Sequence, residues 1–271
     1  MFDLMLWPFL ACLVLVGIHA YLGIHVIERG VIFVDLALAQ IAALGGIIAI
    51  LFGCDLHTTH AYLFSLGFTF LGATIFSLTR MRRKDVPQEA IIGVVYVVCA
   101  AASVLVLDRM PGEAEHIKTM LVGNILFVSP AEVVKVFVLY VLIGILHFFC
   151  RKKFIQISLY PERARAEGVS IRLWDFLFYV TFGFVVTSSV EVAGVLLVFS
   201  FLIMPAICAM LFTRDFATRL GVGWTLGAIT SLAGIYFSAA LDLPTGATVV
   251  CAFGFLVLLS SICRYFIGGK A

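Results

Sequence analysis

Charge is scarce in this sequence: 13% of its 271 residues are Asp, Glu, Lys or Arg, against 63% hydrophobic. A soluble domain of this length needs far more polar surface, so the composition excludes that class and points to a polytopic membrane protein. The mean hydropathy of +1.14 agrees. No GxxxxGK[ST] phosphate-binding pattern occurs, and no soluble stretch is long enough to hold a nucleotide fold. The chain therefore hydrolyses no ATP by itself, and any driving energy must come from an ion gradient or a partner. A net charge of +2 carries no nucleic-acid signal. The seven cysteines are scattered without a CxxC pair, which argues for packing residues and against a disulfide framework or thiolate metal site. The opening residues MFDLMLWPF lack the basic n-region of a secretory signal, so no cleavable signal is expected.

What is abundant is long apolar runs. Nine are long enough to cross a bilayer as helices, near 5–27, 31–53, 60–79, 89–107, 131–150, 172–189, 191–213, 217–240 and 246–267. The expected fold is an all-α transmembrane helical bundle forming a single transmembrane domain over 1–271. The connection 108–130 carries a semi-apolar piece, TMLVGNILFVSP, too short to span and expected to be re-entrant or interfacial. The connection 151–171 is the longest polar stretch. Within it YPERARAEGVSIRLW predicts a short helix, with Pro161 suited to the first turn and Gly168 at its end.

The basic residues orient these spans. With the N-terminus outside and the C-terminus in the cytoplasm, every Lys and Arg except Arg109, Lys118 and Lys135 falls on the inner side. A missed span would invert every later loop and destroy that partition. The same topology places Glu191, Asp242, Asp55, His57 and His60 at the outer face and 151–171 in the cytoplasm.

Four places hold residues capable of chemistry. Asp35 and Gln40 interrupt the second span, whose Ala37, Ala39, Ala42, Gly45 and Gly46 permit close helix approach. Five residues of helix turn by about 140°, so these two polar groups do not share a face. Asp35 is either a ligand or the partner of Arg29 or of a neighbouring hydroxyl. Glu191 stands at one mouth of the run ending near Arg214, with Pro205 inside it. An ionisable group costs roughly 2.5–3.5 kcal/mol at the bilayer centre and less near the interface, so an acid there tends to be protonated, paired or metal-bound. His57 and His60, with Asp55 beside them, offer donors for capturing a divalent metal in an outer loop. His19, His25 and His147 read as internally satisfied polar residues.

Taken in order, ERGVIFVDLALAQIAALG, IIGVVY, MLVGNILFVSP, PERARAEGV, VEVAGVLLVFSFLIMPAICAML and DLPTGATVV resemble the membrane subunits of ABC importers for zinc, manganese and iron, the ABC-3 metal permeases. The resemblance covers nearly the whole chain. It implies a homodimer in a bacterial inner membrane, with a cytoplasmic ABC ATPase holding the ATP and an extracytoplasmic metal-binding protein delivering cargo. No cofactor bound by this chain is implied. PERARAEGV matches the family's coupling helix, which makes Pro161, Glu162, Ala164, Ala166 and Gly168 the expected ATPase contacts. Aligned on Gly45, the family's membrane histidine falls on Gln40 and its acid on Leu36, one residue past Asp35; Asn124 stands where many members have aspartate. Neutral Gln is a poor Zn²⁺ ligand beside imidazole. The transport path is therefore either rebuilt around Asp35 and Glu191 or carries something other than bare Zn²⁺. The competing expectation is an ion-coupled secondary transporter using the same two acids.

Overall fold

The computed structural model describes residues 2–54, 58–79, 87–107 and 125–268. Among them the chain is helical: α1 (Phe2–Arg29), α2 (Val34–Leu51), α3 (Thr59–Leu78), α4 (Gln88–Leu107), a 3₁₀ turn (Ile125–Phe127), α5 (Pro130–Leu159), α6 (Pro161–Ala166), α7 (Ile171–Ala193), α8 (Val195–Phe212), α9 (Phe216–Leu241) and α10 (Thr245–Gly268). All of these except α6 and the 3₁₀ turn are long and apolar enough to cross a membrane, which makes nine candidate spans among the described residues. Asp55, His57, Asn124 and most of 108–130 lie outside them.

Local chemistry sets the ends. Ser129 and Glu132 form a capping box ahead of α5: the Ser129 amide donates to Glu132 Oε2 at 2.7 Å and the Glu132 amide to Ser129 Oγ at 3.3 Å. Asp215 caps α9 by accepting the Thr218 amide at 2.8 Å. Those hydrogen bonds hold its carboxyl below the usual range. Two boundaries differ from the sequence expectation. Helix α5 continues past the hydrophobic run to Leu159, because Arg151, Lys152 and Lys153 extend it into water without breaking it. The run read as 191–213 is two elements: Gly194 takes φ +74, ending α7 and admitting α8. Glu191 therefore belongs to the last turn of α7, not to the start of the next span.

The helices group into two compact units, residues 1–27, 119–144 and 189–271 in one and 28–118 and 145–188 in the other. Boundaries between the units fall inside α1, α5 and α7.

In the first unit, small residues set the helix spacing. A Cβ on Gly23 of α1 would lie 1.8 Å from the Leu202 carbonyl oxygen of α8, and one on Gly227 of α9 would meet Val16 Cγ1 at 2.6 Å. Gly234 sits as closely on Val249 of α10. Such contacts replace the hydrophobic drive that lipid cannot supply. Pro205 stands buried inside α8, where it removes one helix hydrogen bond.

In the second unit α2 packs on α3 and α4. Gly45 faces the Phe64 carbonyl and Phe68, and Gly72 of α3 faces Ile41. Behind them, Phe76, Phe154, Phe178, Tyr179 and Phe182 are fully buried. Thr69 and Thr187 join α3 to α7 by a hydroxyl pair at 3.2 Å.

Candidate functional site

Asp35 occupies the first turn of α2, whose N–H groups point toward its end and favour negative charge. The residue is 1% exposed, and neither carboxylate oxygen has a hydrogen-bond partner among the described residues. Arg29 does not neutralise it. The Arg29 guanidinium instead donates from Nη1 to Asp175 Oδ1 at 2.7 Å and from Nε to Ser158 Oγ at 2.9 Å, and lies 3.9 Å from the Phe178 ring centroid. Both side chains of that ion pair are fully buried. An unpaired buried carboxylate is costly, and with pairing absent a proton or a cation is left to neutralise it.

Gln40 is committed elsewhere. Its Nε2 donates to Ser103 Oγ of α4 at 3.2 Å, while Ser103 donates to the Cys99 carbonyl. Asp35 and Gln40 thus face different surroundings, as the helical rotation required. Glu191 is exposed at the end of α7 and belongs to the other unit. His60 is exposed in the first turn of α3. Among the described residues no three His, Cys, Asp or Glu side chains are grouped to hold a metal ion.

Helix α6 is built as its sequence requires. Pro161 takes the first position after Tyr160, and the amides of Gly168 (φ +72) and Val169 return to the carbonyls of Arg165 and Ala164, each at 3.0 Å. This is a Schellman ending, which glycine permits. Ala164 is fully buried and anchors the helix, whereas Glu162, Ala166 and Gly168 are exposed. Arg165 donates to Glu162 at 2.7 Å. Glu167 accepts from Arg163 at 2.9 Å and from Gln156 at 2.6 Å, and these bonds hold its carboxyl below the ordinary range. An open cleft of about 400 Å³ beside them is lined by Arg151, Lys152 and Tyr160.

Against this geometry, the model of the ABC 3 transport family matches residues 1–264. The chain belongs to the ABC 3 transport family. Relatives in the same class include the "Manganese transport system membrane protein MntC" of Halalkalibacterium halodurans, 26% identical over 97% of this chain and 91% of that protein. A "Probable iron transport system membrane protein" of Haemophilus influenzae is 27% identical over 92% of this chain and 89% of its own length. The fold matches that of a chain in the solved complex of PsaBC from Streptococcus pneumoniae with a Fab, at TM-score 0.76 and 20% identity, over 94% of this chain and 89% of that one. The all-α, nine-span expectation and the family resemblance both hold.

Sequence reasoning missed two buried polar arrangements in this ABC 3 family member. One is the Arg29–Asp175 pair, whose partners stand 146 positions apart. Asp175 lies inside the run expected to span at 172–189, and an Asp one turn into an apolar span is a signal equal to Asp35. The other, in the first unit, runs from Tyr140, which shares a short hydroxyl contact with Ser189, to His19 Nε2 at 3.2 Å from Ser189. His19 Nδ1 meets the Leu15 carbonyl at 2.8 Å, so that ring nitrogen carries the proton and Nε2 accepts. His147 similarly meets Thr181 at 2.8 Å. His19 and His147 are thus internally satisfied, as expected, while His25 packs its ring against Tyr21 and Phe216.

Proposed function

We propose that this ABC 3 transport family member is the permease subunit of an importer that moves a divalent transition metal ion across the bacterial inner membrane, driven by ATP hydrolysed on a partner ATPase. The observation that carries the cargo assignment is Asp35, a buried carboxylate with neither oxygen partnered among the described residues, set in a span of small residues. Such a group has an unmet requirement for positive charge that a passing cation satisfies. Oxygen donors without thiolate suit a harder ion, and the Gln40 amide, engaged by Ser103, supplies no imidazole. Manganese or iron(II) is therefore the preferred cargo over zinc. The names of the manganese and iron relatives support the same choice.

In this reading Glu191 is the outer station of the path and Asp35 the inner one, with His57 and His60 as outer-loop capture groups. The exposed face of α6, through Glu162, Ala166 and Gly168, docks the ATPase, while Ala164 holds that helix in place. A second copy of the chain and an extracytoplasmic metal-binding protein complete the system, with the N-terminus outside. Family membership favours this reading over the ion-coupled carrier. The test is metal uptake by proteoliposomes containing the chain and its ATPase, with Mn²⁺, Fe²⁺ and Zn²⁺ supplied separately. ATP-dependent uptake with manganese or iron ahead of zinc is expected. Uptake driven by an imposed proton gradient without ATP would favour the carrier.

A further inference from the structure

We propose that Arg29, Ser158 and Asp175 are positioning residues that relay movement of the Pro161–Ala166 helix to the Asp35 end of α2. This rests on the reading of α6 as the ATPase dock. Ser158 lies three residues before Pro161, at the end of α5, and Asp175 lies in the opening turns of α7. The two residues therefore bracket α6 on its own chain. Arg29 holds both at once, through Nε to Ser158 at 2.9 Å and Nη1 to Asp175 at 2.7 Å, with Phe178 under the guanidinium plane. A planar fork of fixed donors gives this knot a defined geometry that a point charge cannot reproduce.

On its other side Arg29 is the last residue of α1. Gly30 follows at φ +66, the Val31 carbonyl accepts the Val34 amide at 3.1 Å, and Asp35 comes one residue later. The Phe33 amide in the same turn donates to Glu89 Oε1 of α4 at 3.3 Å. Arg29 is thus joined through one tight turn to the helix start that bears the buried Asp35 carboxylate. Displacing α6 displaces Ser158 and Asp175, and their grip on Arg29 carries the displacement to Asp35. A buried ion pair is weak support for stability, since apolar side chains fill the same volume as well. What apolar packing does not supply is a fixed register between these helix ends.

The test uses proteoliposomes holding the complete permease–ATPase complex, measuring ATP hydrolysis, metal moved per ATP and thermal midpoint. The apolar pair Arg29→Met with Asp175→Leu is expected to assemble with an unchanged midpoint and to hydrolyse ATP, while metal moved per ATP falls at least tenfold. Ser158→Ala and Arg29→Lys alter the fork without leaving a lone buried charge. Each is expected to lower metal moved per ATP about threefold at normal hydrolysis. If the apolar pair fails to assemble, these two variants decide. Variants that move metal per ATP as wild type does overturn the relay and leave the pair a structural contact. Absence of uptake by the wild-type complex overturns the permease reading instead.

Discussion

Substituting Gly23 with alanine tests the packing that fixes α1 against α8. The added Cβ would stand 1.8 Å from the Leu202 carbonyl oxygen, 2.9 Å from its carbon and 3.3 Å from Ala206 Cβ. The obstacle is helix backbone, which cannot swing aside as a side-chain tip can, so the helices must separate by on the order of 1 Å or more. Over-packing of this kind costs about 1–3 kcal/mol, and the upper end applies where backbone must move. Alanine returns about 0.5–1 kcal/mol of helix preference. The expected net loss is therefore about 2 kcal/mol. Gly17 on the same helix is the control, because a Cβ there meets nothing within 4 Å and its carbonyl still accepts Trp224 Nε1 at 2.9 Å. Gly17→Ala should be neutral or slightly stabilising. Reversible unfolding in mixed micelles measures both. Equal stabilities for the two variants, within about 0.5 kcal/mol, would refute the close approach.

Ala166→Trp should abolish co-purification of the ATPase while leaving the permease's thermal midpoint unchanged, since Ala166 is exposed; Ala164→Trp should lower the midpoint itself, since Ala164 is fully buried. In a cysteine-free background, His60→Cys should label from outside and Glu162→Cys only after permeabilisation; the reverse would overturn the N-out topology. Asp215 gives a pH signature. Its folded value lies below the ordinary 3.8, so the stability it lends α9 is complete above that value and is lost as pH falls through the folded one. Protection of the Thr218 amide against hydrogen exchange, relative to its intrinsic rate at each pH, should fall in acid in the wild type, whereas Asp215→Asn should show no such pH step.

Much of the membrane architecture was legible because hydropathy reports what lipid requires. It reports less about where a helix ends. Arg151–Lys153 leave hydrocarbon but keep helical geometry, so α5 outran its apolar run. Gly194 is one more apolar-compatible residue in sequence, and only its positive φ separates Glu191 from the following span. The short helix at 161–166 was readable because proline, alanine and glycine each carry a local backbone preference. The burial of Asp35 followed from the small residues around it. Its lack of a partner among the described residues did not, because Arg29 was equally available by sequence. That choice depends on Asp175 and Ser158, which lie far along the chain and leave no periodic trace. The Tyr140–Ser189–His19 arrangement escaped notice for the same reason.

The most direct measurement of the central claim is ATP-driven manganese uptake by proteoliposomes containing the permease with its ATPase, comparing wild type with Asp35→Asn, Glu191→Gln and the double variant. The amides keep shape and remove charge. Uptake should fall at least tenfold for Asp35→Asn at unchanged expression and ATPase association, with a smaller loss for Glu191→Gln at the outer mouth. A double variant that moves manganese at the wild-type rate would contradict the account and return both acids to structural roles.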